Sequence, residues 1–419
     1  MANKMFESIL SGLDKLLPVL EGIYKNIHSN PELSFQEIET AKLIAGKLIE
    51  SGYNVLTGLG KTGVVGILRN GEGPIVMIRA DMDALPVRED TGLSYASNSL
   101  ATDTAGKVVP IMHACGHDMH VAWLIGAATL FAQNLKAWRG TLIVVFQPAE
   151  EIAAGSKAMI DDGLFYKIPK PDVILGSHVM VGLAGVLGWR EGAITSTADS
   201  LEIKLFGRGA HGSMPQASVD TVVMSASVTL RLQTIVSREI SPSDFAVLTI
   251  GALQAGTKDN VIPDEALLKI NIRTFNENVR KHILSSVERI VNSEATASGA
   301  PAKPEIRQKE HYASVRNDPN ATHIVLNSFR SNFPEAMIEE TQATSASEDF
   351  GTFGTESGVP SVFWFVGGTE GVEFKTALDE GRIGEIPTNH SPRFAPVIHP
   401  TLEAGVRAMI SAAGAWLFF

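Results

Sequence analysis

A chain of 419 residues, 44% of them hydrophobic, is too long for one compact core and is expected to form two domains, because single cores stop growing beyond about 250–300 residues. Lys and Arg total 35 against 46 Asp and Glu, a formal net charge of −11 with no basic run, which argues against nucleic acid and anionic membrane as partners. No stretch approaches the ~18 consecutive apolar residues of a membrane span, and a single cysteine permits no internal disulfide, so a reducing cytoplasm is the expected compartment.

The opening segment, up to Ser34, alternates charged and apolar residues at helical spacing. With no uninterrupted apolar core before a small-residue cleavage site, it reads as an amphipathic helix of the mature protein rather than a signal peptide. Next come the short apolar runs VVGILRN and PIVMIRADMDALP, then HACGHD opening the helix MHVAWLIGAATLFAQNL, then TLIVVFQPAEE, a helix over Gly155 to Asp162, and DVILGSHV. Strands separated by helices of this length imply crossover units and a largely parallel sheet. In such sheets ligands collect beyond the carboxyl ends of strands. The polar residues obey that rule: Asp81 and Asp83 end one strand, Glu150 and Glu151 another, and His178 a third. Cys115 and His117 sit at a predicted helix start, where exposed N–H groups and the dipole favour a thiolate.

Between about Ile194 and Glu310 the order becomes strand (LEIKLFGRG), helix (VDTVVMSASVTLRLQTIVS), strand (FAVLTIGALQAG), strand (EALLKINIRTF), helix closed by Gly299, and a candidate strand at PEIRQKEHY. That is the split βαβ, or ferredoxin-like, arrangement. The α/β pattern then resumes with SVFWFVGG and a C-terminal helix from HPTLEAG. Gly367 to Ser391 is expected to be the longest irregular segment, and it holds His390 in PTNHSPRF. The fold class is thus α/β, a mainly parallel sheet flanked by helices over residues 1–193 and 311–419, with an inserted α+β ferredoxin-like domain over 194–310.

Cys115, His117, Glu151, His178 and His390, with Glu150 as a spare carboxylate, compose the donor set of a metal-dependent hydrolase rather than of a closed structural zinc site. Taken singly, a buried Cys is usually a small hydrophobe and a lone His satisfies a core hydrogen bond. Their coincidence at strand ends changes that balance.

HACGHDMH, RADMDALPVRED, QPAEE, GRGAHGSMP, NVIPDE, INIRTF, SEDFG and HSPRF together resemble the metal-dependent amidohydrolases of the peptidase M20 family, in the branch of N-acyl-amino-acid, hippurate and auxin-conjugate hydrolases. The motifs run in the family's order from Pro31 to Phe394. The resemblance implies two divalent ions, held about 3.5–4 Å apart, with Cys115, His117, Glu151, His178 and His390 as ligands and one donor shared. A thiolate ligand favours zinc, manganese, cobalt or nickel over magnesium or calcium.

By the same resemblance Glu150 is the general base, since side chains of adjacent residues leaving a strand diverge and one carboxylate is free to face substrate. The alternative is that both glutamates are ligands. Asp83 is expected to accept from a histidine ligand and orient it. Asp81 stands where the wider superfamily has a His, a role His117 is expected to take over. Helix-start capping and packing are expected to explain His113, Asp118 and His120.

In the inserted domain His211 lies on a Gly-rich turn suited to an oxyanion donor. The resemblance brings it, with Asn260, from the partner subunit of a homodimer built through that domain, and makes Arg273 a fork for the substrate's carboxylate. The expected reaction is hydrolysis of the C–N bond of a small-molecule amide, an N-acyl amino acid or a relative. An aminopeptidase or dipeptidase, an arylamine deaminase or aryl-amide hydrolase, and a non-catalytic binding protein remain the alternatives.

Overall fold

The computed structural model describes residues 2–418; Met1 and Phe419, at the outer ends of the two predicted terminal helices, lie outside the described residues. The chain divides into two compact units, one made of Met1–Ile194, Arg316–Gln342 and Asp349–Phe419, the other of Thr195–Val315 and Ala343–Glu348. Among the described residues no helix is long and apolar enough to cross a membrane.

The first unit is built on an eight-stranded sheet. Its centre is parallel, in the order Gly140–Gln147, Ile75–Asp81, Val173–Leu183, Ser361–Thr369. Asn54–Leu59 and Gly63–Asn70 add an antiparallel hairpin on one side. A parallel centre is covered on both faces, which is why GTLIVVFQ is buried at every residue instead of alternating. The helix His117–Gln133 is likewise apolar nearly all round, because it packs against the strand Ile75–Asp81 and the helices Leu13–Ser29 and Ile398–Leu417.

Three local expectations change. The single opening helix is two, Ala2–Leu10 and Leu13–Ser29. The strand expected to end at His178 continues to Leu183, because beyond Gly176 it keeps pairing with Ser361–Thr369, with His178 opposite Phe365. The segment from Gly367 to Ser391 contains the helix Gly371–Asp379, whose start is capped by the Glu370 carboxylate accepting the N–H groups of Val372 and Glu373.

In the second unit a four-stranded sheet runs in the order Ala246–Ala255, Glu265–Thr274, Thr197–Phe206, Glu305–Tyr312, with every neighbouring pair antiparallel. Leu201, Ile203 and Leu205 alternate inward from the first strand and join Val228 and Leu232 of one helix and Ile283 and Val287 of the other in a single core. This is the ferredoxin-like arrangement expected from the element order.

A buried cation ties the first unit together near the helix His117–Gln133. His28 Nδ1 lies 2.6 Å from Asp118 Oδ2 and its Nε2 3.1 Å from Glu89 Oε1, all three side chains being buried. Against the cost of burial, the two carboxylates raise His28 to about 10. A histidine whose folded value exceeds its unfolded value of about 6.5 contributes stability fully below that pH and loses it as pH rises toward 10. His28→Gln, which leaves two buried carboxylates without their cation, should cost about 3–5 kcal/mol near pH 6. Denaturant titrations should show the gap from wild type narrowing between pH 6.5 and 10; a constant gap would contradict a charged His28.

Candidate metal centre

The first unit brings the sequence-predicted donors to one place, four of them outside the strands and His178 within Val173–Leu183. The helix carrying His117 begins at Gly116, whose φ is +83° and whose Cβ, if present, would lie 2.4 Å from Val179 Cγ1. Only glycine allows Cys115 and His117 to flank the Val173–Leu183 strand this closely. Cys115 Sγ is 3.4 Å from His178 Nε2. One ligand atom from each of Cys115, His117 and Glu151 lies within 4.8 Å of the others. His117 Nε2 is 3.8 Å from Glu151 Oε1 and 3.9 Å from Glu150 Oε2. His390, on a left-handed backbone at φ +72°, places Nε2 at 3.2 Å from Glu151 Oε2.

Both glutamate carboxylates come within 4 Å of the same imidazole nitrogen, although they do not leave directly from a strand. The chain has left the strand at Gln147, Ala149 takes left-handed angles (φ +50°, ψ +41°), and Glu150–Ile152 form a 3₁₀ turn rather than an extension of the strand. A left-handed alanine costs about 1–2 kcal/mol, so the turn is held by its surroundings.

Hydrogen bonds fix which nitrogen each histidine turns inward. His117 Nδ1–H donates to Asp83 Oδ1 at 3.2 Å, which leaves Nε2 as a lone-pair donor. His178 Nδ1–H donates to the Val179 carbonyl at 2.8 Å with the same result. His120 also lies in a close cluster with Asp81, His117 and His178. Both its nitrogens are engaged, however, Nδ1 with Asp81 Oδ1 at 2.5 Å and Nε2 accepting from Val179 N–H at 2.8 Å. It therefore presents no free lone pair.

The charge balance calls for a cation. Asp81, Asp83, Glu150 and Glu151 surround His117, and against burial Asp81 foremost, with Asp83 and Glu151, raises it to about 10. Burial pushes the Cys115 thiol well up, and Glu151, Glu150 and Asp81 push it further. Burial and the neighbouring His120 hold His178 neutral. His117 Nε2 and Glu151 Oε1 are buried without a hydrogen-bond partner among the described residues. Soft and borderline donors converging on orphaned lone pairs, with a thiol that needs a cation to ionise, fit a divalent transition metal.

The remaining predicted residues lie in the second unit. His211 pairs with Val261 in a short antiparallel ladder, and Gly212 N–H donates to the Asn260 carbonyl at 2.8 Å, so His211 and Asn260 share one exposed loop cluster. His211 Nδ1 accepts the Ser213 N–H at 3.2 Å, which leaves the proton on Nε2. Arg273 is half-buried rather than solvated: Nε donates to Asn271 Oδ1, and Nη1 to the Ser345 carbonyl and Ser347 Oγ, at 3.0, 2.6 and 3.1 Å.

Residues 77–380 match the model of Peptidase family M20/M25/M40. The chain belongs to this family. It is 40% identical over 337 residues to the hippurate hydrolase of Campylobacter jejuni, covering 80% of this chain and 84% of that one. It is 36% identical over 391 residues to thermostable carboxypeptidase 2 of Saccharolobus solfataricus, covering 92% of each. The crystal structure of Bacillus subtilis YXEP protein, described as a dinuclear metal binding peptidase from the M20 family, superposes with a TM-score of 0.75 at 29% identity, covering 96% of this chain and 98% of that one. The chain is accordingly a metal-dependent amidohydrolase of the M20 type.

Several residues around this M20 site went unremarked in the sequence. Arg79, fully buried, donates to Asp81 Oδ2 at 2.6 Å, Gln147 Oε1 at 2.8 Å and Asp349 Oδ1 at 3.1 Å. Against the cost of burial, Arg79 and the two nearby histidines hold Asp81 well below the usual carboxylate range. The signal was present, a charged residue inside the apolar run PIVMIRAD. Asn389 Nδ2 donates to the carbonyls of Cys115 and Val179 at 3.2 and 3.1 Å and so ties the His390 loop to two donor segments. Asp118 pairs with His28 and also accepts the Met119 N–H of the helix's first turn at 2.9 Å, while His120 is hydrogen-bonded into a buried network.

Exhaustive chelation should abolish turnover, and Zn²⁺, Mn²⁺, Co²⁺ or Ni²⁺ should restore it. Cys115→Ala and His178→Ala should retain less metal by elemental analysis. Full activity in verified metal-free protein would contradict the centre.

Proposed function

We propose that the first unit carries a two-metal centre with Cys115, His117, Glu151, His178 and His390 as ligands, one donor being shared, and that Glu150 is the general base. The observation that carries this reading is the buried convergence of these donors with His117 Nε2 and Glu151 Oε1 left without hydrogen-bond partners. When bound, two divalent ions supply Lewis acidity toward the scissile carbonyl and acidify a water. Zinc, manganese, cobalt and nickel suit a set that includes a thiolate.

Glu150 takes the proton from the attacking water and delivers it to the leaving nitrogen. Asp83 keeps His117 turned so that Nε2 faces the centre. His211, protonated on Nε2, donates to the oxyanion together with Asn260. Arg273 receives the carboxylate of the leaving amino acid. On this reading the first unit forms the catalytic domain and the second the inserted dimerisation or lid domain of a cytoplasmic enzyme.

The substrate class we infer is an N-acyl amino acid with a free α-carboxylate. Hippurate, named for one relative, is N-benzoylglycine, and a carboxypeptidase, the name of another, also releases an amino acid that carries the terminal carboxylate. That shared end favours this class over an aminopeptidase, which needs an acidic receptor for an α-amine, and over an arylamine hydrolase. A screen of N-benzoylglycine, N-acetyl amino acids and dipeptides, each beside its C-terminal carboxamide, should show amine release falling by on the order of 100-fold on amidation, as for a lost charge-assisted contact. Equal cleavage of the amidated series would overturn the class.

Glu150→Gln should keep both metals and lose several orders of magnitude in kcat. Metal lost from that variant while Glu151→Gln retains it would reverse the two roles.

The inferred homodimer pairs second units. Ala246–Ala255 is an edge strand without a charged residue, flanked by exposed Val222, Val223 and Leu230, whereas the opposite edge, Glu305–Tyr312, is protected by Glu305, Arg307, Lys309 and Glu310. If His211 serves the partner's centre, mixing inactive His211→Ala and Glu150→Gln should recover about a quarter of wild-type activity on random subunit exchange. Demonstrated exchange without recovery would assign His211 to its own subunit.

A further inference from the structure

The turn that carries Glu150 and Glu151 is held by a carboxylate outside the donor set. Glu37 is fully buried, and its Oε1 accepts the Ala149 N–H at 2.8 Å and the Phe35 N–H at 2.9 Å, while Oε2 accepts the Thr62 hydroxyl at 2.6 Å. The next two N–H groups, of Glu150 and Glu151, donate to Asp83 Oδ1 and Oδ2, each at 3.1 Å. Three successive backbone donors of one turn therefore end on two buried carboxylates that are distant in sequence. On the other side, the Ala149 carbonyl accepts from Ala154 and Gly155 at 3.3 and 3.0 Å, and a Cβ on Gly155 would fall 1.5 Å from the Pro148 oxygen. The turn is thus clamped from both sides around an alanine at φ +50°.

We propose that Glu37 is a positioning residue for the reaction, fixing Ala149 in its left-handed conformation so that Glu150 and Glu151 are delivered together into the centre. Asp83 also orients His117, so removing it disturbs a ligand directly. The Glu37 carboxylate accepts from the N–H groups of Phe35 and Ala149 and from the Thr62 hydroxyl, and so reaches the donors through the backbone of the turn. The inference rests on Glu150 as general base and Glu151 as ligand.

The test separates delivery of the turn from general stability. Glu37→Ala should lower kcat by about 10–100-fold with KM nearly unchanged. The zinc-reconstituted variant should also give up zinc to a competing chelator about 10-fold more readily. Glu37→Gln, which keeps an oxygen for the Ala149 N–H, should stay within about threefold of wild type in both readouts. Ala149→Gly added to Glu37→Ala should regain about 10-fold in kcat, because glycine adopts the left-handed angles without the penalty an alanine carries. If Glu37→Ala does not fold, Glu37→Asp, whose carboxylate is one methylene short, should show the same loss and the same rescue. Unchanged kcat and zinc retention in the Ala or Asp variant, or a loss that neither Gln nor the glycine rescues, overturns the proposal. Failure of the underlying reading shows separately, as an active Glu150→Gln enzyme in the same assay.

Discussion

Buried negative charge is the constraint on which the first unit turns. Asp81, Asp83 and Glu150 are almost inaccessible, and the Glu151 side chain is only 6% exposed, yet all four approach one imidazole. Ionised groups removed from water persist only when paired or metal-bound. Arg79 answers for Asp81, and the His117 and Ser34 hydrogen bonds answer for part of Asp83. At Glu151, whose Oε1 finds no hydrogen-bond partner among the described residues, and at the thiol of Cys115, divalent ions would supply the balancing charge. The requirement that makes the site costly as bare protein is what suits it to hold metal.

The surrounding fold spends its hydrogen bonds on orientation. Each inward-facing imidazole of the buried pair is fixed at its far nitrogen, His117 by Asp83 and His178 by the Val179 carbonyl. A second chain of contacts, Arg79 to Asp81 to His120 to the Val179 amide, joins the end of one parallel strand to its neighbour and to the helix that starts at His117. His120 illustrates the difference between proximity and function, because it sits among the donors with both nitrogens already committed.

Backbone conformation supplies the remaining precision. Gly116, Ala149 and His390 all have positive φ, and each lies within two residues of a donor or carries one. Left-handed positions turn the chain sharply enough for neighbouring residues to face a common point, and two of the three are not glycine, so packing and hydrogen bonds hold them there. Asn389, bonded to the Cys115 and Val179 carbonyls, is one such restraint beside His390.

The sequence by itself determined the layered α/β plan, because a continuous apolar run such as TLIVVFQ and an alternating one such as LEIKLF dictate different burial, and the order of elements then leaves few topologies. It also placed Cys115, His117, Glu151, His178 and His390 in one family pattern, since each sits beside a recognisable motif. Tertiary structure decided which nitrogen each histidine turns inward, that His120 is committed elsewhere, that Glu150 and Glu151 stand on a 3₁₀ turn and not at a strand end, and that Gly371–Asp379 is helical. It alone revealed Arg79, Asn389 and Glu37, whose roles depend on partners such as Asp349, Val179 and Ala149 far away along the chain. Periodicity and motif spacing are local, whereas a hydrogen-bond partner or a left-handed turn held from outside exists only once distant segments have met.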